Sequence, residues 1–252
     1  MTNKWLKVAL MVTAIATGTS IKIDAETVLY VPQDDRPVSL QYTVDTAREA
    51  GMTVLTPPQH LISGKTYQGQ ADQIMAWVEQ NAGRADVMVL STDTLIYGGL
   101  VDSRKHNIPL STLQNRLKRI EGLKARNKNV RIYGFGTVMR SPRASGGGTE
   151  PAYYAEYGPT IFQIAALQDK LDSGSLTQEE TQKLMSLQAS VPVEYLQDWF
   201  DRRQKNMKIN KELIDETRSG VFDYFALGHD DTSQLSQSAL EGRYLNKYSK
   251  DI

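Results

Sequence analysis

Cysteine is absent from the 252-residue sequence, and its absence excludes several kinds of site. The chain has no disulfide bond, no thiolate nucleophile and no cysteine-ligated zinc. Net charge is absent as well, because 29 Lys and Arg residues balance 29 Asp and Glu residues. No global electrostatic field draws the chain to a polyanion, so we expect no nucleic-acid partner.

Long apolar runs are also scarce, and the clearest one lies at the start of the chain. Lys4 and Lys7 flank the beginning of the mostly apolar residues 8–19, a pattern typical of a secretory signal peptide. The run is shorter than a transmembrane helix needs, although an uncleaved anchor is the alternative. We expect residues 1–25 to be removed, and the mature protein to be secreted or held in the cell envelope without a stable membrane span.

Short apolar segments alternate with amphipathic ones along the rest of the chain. Apolar strands separated by helices are typical of a parallel sheet that is covered by helices. The sequence therefore predicts an α/β protein with a parallel sheet of about five strands, and an incomplete (β/α)8 barrel is the alternative. The predicted strands are residues 28–31, 53–55, 87–90, 130–135 and 222–227.

A long interval separates the fourth and fifth predicted strands. It spans about ninety residues, far more than an ordinary crossover needs. Its apolar residues recur at helical spacing, and Thr177 with Glu180 has the spacing of a capping box. We therefore predict an α/β core over residues 26–148 and 220–252, with a helical insertion at residues 149–219.

Ligands of parallel α/β proteins bind just past the carboxyl ends of the strands. Four of the five predicted ends carry carboxylates, and the fourth end has a run of glycines before its Glu. A single Asp often serves a turn or a helix cap, but adjacent Asp pairs need a counterion, a metal or a polar ligand nearby. The candidate catalytic residues are Asp34, Asp35, Asp93, Glu150, Asp230 and Asp231.

Arginine and aromatic side chains near these ends are candidates for substrate binding. Arg36 and Arg140 are the natural counterions of the acidic pairs, so a purely structural ion-pair network is the alternative to an active site. Tyr97 and Tyr154 offer faces on which a ring could stack. His229, beside Asp230, is a candidate acid, base or ligand.

Familiar catalytic motifs are missing from the sequence. Residues 63–66 (SGKT) resemble the end of a phosphate-binding loop, but Gln59 stands where the first glycine of that loop would be. No HExxH pattern is present, and no serine lies in a G-x-S-x-G elbow. The candidates for chemistry are therefore the carboxylates at the strand ends.

Three functions suit clustered carboxylates. Glycoside hydrolysis uses one carboxyl as an acid and another as a base or nucleophile. Metal-assisted hydrolysis, as in a phosphoesterase, would use them to bind Mg, Ca or Mn. Binding of a glycan without catalysis would combine Asp, Arg and aromatic groups. We favour an extracytoplasmic hydrolase of the first kind, with a small molecule or glycan as substrate and no cofactor; a divalent cation belongs to the second alternative.

Several stretches resemble one bacterial protein family, the domain of unknown function 4127 (DUF4127). The family has no assigned activity, so the resemblance implies a shared site and leaves the reaction open. It implies that Arg104, Arg140, Arg203 and Asn206 belong to that site, and that this chain is an N-terminal portion of a protein about twice as long. The matching residues are 32–38 (PQDDRPV), 91–104 (STDTLIYGGLVDSR), 138–140 (VMR), 150–158 (EPAYYAEYG), 203–210 (RQKNMKIN), and Asp230-Asp231 with Glu241.

Overall fold

The computed structural model of the chain describes residues 25–144, 147–231 and 233–251. Nearly all of the predicted signal peptide, residues 1–25, lies outside these described residues. Within them, no helix is both long enough and apolar enough to cross a membrane.

The described residues contain a sheet of five parallel strands, which confirms the predicted α/β class. The strands are Thr27–Val31 (β1), Thr53–Leu55 (β2), Val87–Ser91 (β3), Arg131–Val138 (β4) and Tyr224–His229 (β5). They lie in the order β2-β1-β3-β4-β5. A (β/α)8 barrel places each strand beside its neighbours in sequence, whereas β1 here lies between β2 and β3. This order excludes the barrel alternative.

Helices connect the strands and make up most of the remaining described chain. They are Gln41–Glu49 (α1), Ala71–Asn81 (α2), Thr92–Tyr97 (α3), Asp102–Lys105 (α4), Leu110–Arg126 (α5), Tyr154–Asp172 (α6), Gln178–Ala189 (α7), Val193–Arg218 (α8) and Gln237–Lys250 (α9). Short 3₁₀ turns at Gln59–Leu61 and Ala82–Arg84 precede α2 and β3.

The main hydrophobic core lies between one face of the sheet and the helices α2, α5 and α8. Side chains alternate along β4, where Ile132 is fully buried and the preceding Arg131 is exposed. The helices contribute apolar residues at helical spacing, so each presents one apolar stripe to the sheet. These residues are Ile74, Met75 and Val78 from α2, Leu113, Leu117, Ile120 and Leu123 from α5, and Ile209 and Leu213 from α8.

The other face of the sheet is covered unevenly. α1 lies over its β1–β2 end, where Val44 is buried and the Tyr30 hydroxyl donates a hydrogen bond to the Ser39 carbonyl. At the opposite edge, Tyr224 on β5 is 63% exposed. Parallel sheets are usually covered on both faces, so the contacts that fix this sheet are concentrated on the face of the main core.

Two short helices, α3 and α4, follow β3, where the sequence is too short to show helical periodicity. Ser91 Oγ accepts a hydrogen bond from the Thr94 N–H at 3.3 Å, which caps the start of α3. α3 ends at Gly98, whose φ of +110° is costly for other residues. Every residue of α3 is buried, so this helix carries Asp93 into the interior.

The predicted insertion contains α6, α7 and α8. Thr177 and Glu180 form the predicted capping box at the start of α7. A second hydrophobic cluster lies among these helices and includes the rings of Tyr154 and Trp199, whose centroids are 4.7 Å apart. Helix α8 joins both clusters, since Trp199 lies in the second and Ile209 lies in the main core. The boundaries of the core and the insertion stay a prediction.

A buried ion pair connects α8 to α9 and to the end of β4. Arg203 Nη2 donates a hydrogen bond to Glu241 Oε2 at 2.7 Å, and the two side chains are 1% and 9% exposed. Arg203 also donates to the carbonyl oxygens of Met139 at 2.6 Å and Arg140 at 3.0 Å. The guanidinium therefore fixes the position of the backbone at Met139 and Arg140.

We expect Arg203→Met to lower the free energy of unfolding by about 3–5 kcal/mol, because it leaves the Glu241 carboxylate buried without its cation. Urea unfolding followed by circular dichroism measures the change. Lys208→Met is the matched control, since Lys208 lies on the same helix in an exposed pair with Glu212, and it should cost less than about 1 kcal/mol. Equal losses in the two variants would contradict a structural role for the buried pair.

Candidate functional site

The carboxyl edge of the sheet has a topological switch point between β1 and β3. The chain leaves β1 toward β2 on one side, and all later strands add on the other side, so a crevice opens there. Thr94 Oγ1, on α3, donates a hydrogen bond to the Pro32 carbonyl at 2.7 Å. The Leu100 N–H donates to the Gln33 carbonyl at 3.3 Å. These bonds hold the loop after β1 against the α3–α4 segment.

Glycines bring the loops after β2 and β3 into close contact. A Cβ atom on Gly99 would lie 1.8 Å from Ser63 Oγ, and one on Gly69 would lie 2.0 Å from the Gly98 carbonyl oxygen. Any residue larger than glycine at either position would therefore force the two loops apart. Asp102 Oδ2 also accepts a hydrogen bond from the Gly69 N–H at 3.0 Å. The loops after β1, β2 and β3 therefore form one wall.

A cavity of about 230 Å³ lies at this edge of the sheet. Charged residues that are far apart in the sequence meet on its surface. They are Asp34, Arg36, Lys65, Arg104, Arg140 and Asp230. The structure thus brings together five of the residues that the sequence predicts for the site, and it adds Lys65.

Each carboxylate on the cavity surface is paired with an arginine. Asp34, which is 5% exposed, accepts hydrogen bonds from Arg36 Nε at 2.8 Å and from the Arg36 N–H at 3.2 Å. Asp230 forms an ion pair with Arg104, whose side chain is 4% exposed while that of Asp230 is 37% exposed. Both carboxylates therefore pair with an arginine, but Asp230 is much more accessible to water than Asp34.

Asp93 lies inside the protein beside the cavity, with 3% of its surface exposed. Its Oδ2 accepts hydrogen bonds from Gln33 Nε2 at 2.9 Å and from Thr137 Oγ1 at 2.8 Å. Burial raises the pKa of Asp93 to about 6, although these hydrogen bonds and the charge of Arg104 act in the opposite direction. Gln33 and Asp93 follow β1 and β3, and Thr137 is the last residue but one of β4, so one carboxylate connects three strand ends.

Arg104 and Arg140 lie close enough for their charges to interact. Burial, and then the neighbouring charge of Arg140, lowers the pKa of Arg104, and the Asp230 carboxylate opposes this. Arg140 has its own partner, since its Nε donates to Glu150 Oε1 at 2.8 Å and its Nη2 donates to Thr149 Oγ1 at 2.7 Å. Two guanidinium groups thus share one small polar region.

The remaining predicted carboxylates are engaged in the walls of the site. The Glu150 side chain is 1% exposed and pairs with Arg140. Asp231 Oδ2 accepts a hydrogen bond from the Ser141 N–H at 2.8 Å, which links the loops after β4 and β5. Asp35 accepts a hydrogen bond from the Tyr67 hydroxyl. These contacts place all three beside the cavity residues without making them part of its surface.

The predicted stacking tyrosines do not lie on the cavity. Tyr97 is on the buried helix α3, and its ring contacts the ring of His106 at 4.9 Å between centroids. Tyr154 is fully buried in the second hydrophobic cluster, and its hydroxyl donates to the Pro142 carbonyl at 2.7 Å. Their positions follow from packing of apolar ring faces in the interior, so neither offers a face to a ligand here.

Three other predicted binding residues also lie away from the cavity surface. Arg203 is buried against Glu241, as described above. Asn206 is 5% exposed, donates from Nδ2 to the Ser103 carbonyl at 2.8 Å and bonds with His106 Nε2. His229 lines a separate groove against α9 at the end of β5. Arg203 and Asn206 support the loops that carry the site, because both bond to backbone next to its residues.

Sequence reasoning missed Lys65 as a site residue, although the residues around it carry a signal. Ser63-Gly64-Lys65-Thr66 resembles the end of a phosphate-binding loop, and the absence of the first glycine argues against that loop as a whole. Lys65, which follows Gly64 in this stretch, lines the cavity although the loop as a whole does not match. Gln33 and Thr137 were missed as partners of Asp93, because hydrogen-bond partners on different strands have no sequence spacing.

A divalent-cation site was the alternative use of the carboxylates. Among the described residues, no group of three or more His, Asp and Glu side chains is arranged to hold a metal ion. The carboxylates of Asp34, Asp230 and Glu150 are each paired with an arginine, and a nearby positive charge disfavours a bound cation. The residues present do not fit the metal alternative.

Comparison with known proteins identifies a family and nothing more detailed. A family model described as "Protein of unknown function (DUF4127)" matches residues 28–252. No curated protein and no solved structure matches the chain. The match covers the cavity residues and all five strands except Thr27, the first residue of β1.

The raised pKa of Asp93 predicts a pH dependence of stability. A carboxyl whose pKa rises from 3.8 to about 6 on folding stabilises the folded state below the lower value, and this contribution is lost as pH rises through the higher value. Asp93→Asn does not titrate. The stability of the natural protein relative to Asp93→Asn should therefore fall by about 2 kcal/mol from about pH 4.5 to about pH 7.5, measured by urea unfolding.

Asp45→Asn is the control for this measurement, because Asp45 is an exposed acid on α1. Its stability should differ from that of the natural protein by less than about 0.5 kcal/mol at both pH values. A constant difference between the natural protein and Asp93→Asn across the pH range would show that Asp93 does not titrate in this way.

Proposed function

The chain belongs to the DUF4127 family, and from the geometry of its strand-end site we propose that it is a hydrolase acting on a carbohydrate or glycoconjugate outside the cytoplasm. One observation carries the proposal. Asp34, after β1, and Asp230, after β5, come from opposite parts of the sheet to line one small cavity. Hydrolysis of a glycosidic bond requires two carboxyl groups around one reacting centre.

The two carboxylates have environments suited to different roles. The Asp230 side chain is 37% exposed, so a water molecule can reach it, and we assign it the role of base or nucleophile. Asp34 is 5% exposed and accepts hydrogen bonds from the backbone and side chain of Arg36; to act as the acid toward the leaving oxygen, the role that we assign to it, it must first take up a proton and release the Arg36 side chain. The assignment rests on access to solvent.

Arginines and Asp93 would position these groups and the substrate. Arg36 and Arg104 each hold one of the two carboxylates, which limits their rotation. Arg140 lines the same cavity and would donate hydrogen bonds to substrate oxygens. Asp93 attracts Arg104 from the interior and connects three strand ends, so it is a positioning residue for the loops.

Size and location support the same proposal. A cavity of about 230 Å³ is smaller than the pockets of about 300–1,000 Å³ that hold drug-sized molecules, and it suits a single sugar unit. The pattern of residues 1–25 favours export, which would place the protein where glycans and glycoconjugates of the cell envelope occur.

Non-catalytic glycan binding is the second candidate, and one observation favours it. Both carboxylates on the cavity surface are already engaged by arginines, an arrangement that also suits simple recognition of sugar hydroxyls. Saturable binding of a glycan with no turnover during long incubation would select this candidate over the hydrolase.

The test begins with a panel of chromogenic glycosides and envelope glycans, on which the natural protein should release product. Asp230→Asn and Asp34→Asn should each lower kcat by about 10²–10⁴-fold, because each removes a group that transfers a proton or attacks in the transition state. Initial rates measure the loss, and thermal unfolding by circular dichroism checks that each variant is folded.

Asp201→Asn is the matched control, because Asp201 is an exposed acid on α8 that is not part of the cavity surface. It should retain the activity of the natural protein. Full activity in a folded Asp230→Asn variant would remove Asp230 from the mechanism, and full activity in both cavity variants would overturn the proposed site.

A further inference from the structure

We propose that the substrate of this cavity carries an oxyanion, a phosphate or a carboxylate, which binds to Lys65, Arg104 and Arg140. This inference rests on the proposed function for the site and names the class of substrate that the site takes. It concerns binding, so its test does not require a measurement of turnover.

The charges on the cavity surface are the first support. Among the described residues, two carboxylates, Asp34 and Asp230, and four cations line the cavity; the cations are Arg36, Lys65, Arg104 and Arg140. Glu150 pairs with Arg140, but its side chain is 1% exposed and does not line the cavity. The surface that a ligand meets therefore carries more positive than negative groups, although the protein as a whole is neutral.

Unused hydrogen-bond donors are the second support. Within the described part of the chain, Arg104 uses its Nη2 for Asp230, and no hydrogen bond involves its Nε or Nη1. The Arg104 side chain is 4% exposed, but neither donor is among the fully buried atoms that lack a partner, so both keep some access to the cavity and a ligand there could accept from them. Lys65 likewise has no hydrogen bond or ion pair with any described residue, and it is exposed at the cavity.

The placement of the cations is the third support. Arg104 and Arg140 line the same cavity, and the charge of Arg140 lowers the pKa of Arg104, so the two guanidinium groups repel each other. Lys65 approaches from another loop, where its Nζ would lie 3.9 Å from a Cβ on Gly147. An oxyanion among these three groups would relieve the repulsion and accept their free donors. Arginine forks match the oxygen atoms of both phosphate and carboxylate.

Isothermal titration calorimetry with inorganic phosphate at constant ionic strength tests the inference. The natural protein should bind phosphate saturably. Lys65→Ala should bind it at least about tenfold more weakly, because the variant loses a charge-assisted hydrogen bond to the oxyanion. Lys65 has no partner to lose, so the variant should unfold at the temperature of the natural protein, and circular dichroism checks this.

Lys128→Ala is the matched control, since it removes the same charge from an exposed position before β4, at the opposite edge of the sheet. Its affinity for phosphate should stay within about twofold of the natural value. Absence of saturable binding to the natural protein, or equal weakening by Lys65→Ala and Lys128→Ala, would overturn the inference.

A second titration distinguishes the two kinds of oxyanion and separates this inference from the proposed function. Glucose 6-phosphate, glucuronic acid and glucose are compared on the natural protein. Tighter binding of either acidic sugar than of glucose, by about tenfold or more, supports the inference and shows whether phosphate or carboxylate is preferred. Equal affinity for all three overturns it. Because no product is measured, the outcome does not depend on whether Asp34 and Asp230 catalyse hydrolysis.

Discussion

Positive charge that is withdrawn from water must find a partner, and this constraint governs the carboxyl edge of the sheet. The side chains of Arg104 and Arg203 are 4% and 1% exposed, so both have lost most of their contact with bulk water. An unpaired buried guanidinium would cost several kcal/mol, and each of them instead has a carboxylate partner on a different element. Asp230 lies after β5 and pairs with Arg104 on α4, while Glu241 on α9 pairs with Arg203 on α8. Pairing therefore also fixes the positions of these elements.

The structural network and the candidate site are consequently parts of one arrangement. Arg203 bonds to the carbonyl oxygen of Arg140, and the Arg140 side chain then reaches Glu150 and the cavity. Asp230 is brought to the cavity by the same ion pair that neutralises Arg104. The sequence left a choice between a structural ion-pair network and an active site, and the geometry shows that the network places the groups that could act. One residue can stabilise the fold through some of its atoms and bind a ligand through others.

The parallel sheet and the acidic strand ends could be predicted because both depend on local sequence. Apolar segments separated by helices determine the fold class, and Asp34 and Asp230 follow strands whose carboxyl ends share one edge. Strand order could not be read in this way, since nothing local shows that β1 lies between β2 and β3. Asp93 was placed correctly at the edge, but its burial depends on a six-residue helix that is too short for periodicity. The burial of Tyr154, predicted as a binding residue, could not be read from the sequence, because tertiary contacts with residues such as Trp199 decide whether an aromatic ring is buried.

Pairing at the cavity also bears on how a ligand would act there. Asp34 and Asp230 are each held by an arginine, and a carboxylate in an ion pair is a poorer base than one whose cation has moved away. A neutral sugar would leave both pairs intact, because its hydroxyl groups compete weakly with a charged partner. An acidic group on the substrate would draw Arg104 and Arg140 toward itself and loosen the hold on Asp230. On the proposed function, binding of the oxyanion and activation of the carboxylate are then coupled, since both act on the one guanidinium group of Arg104.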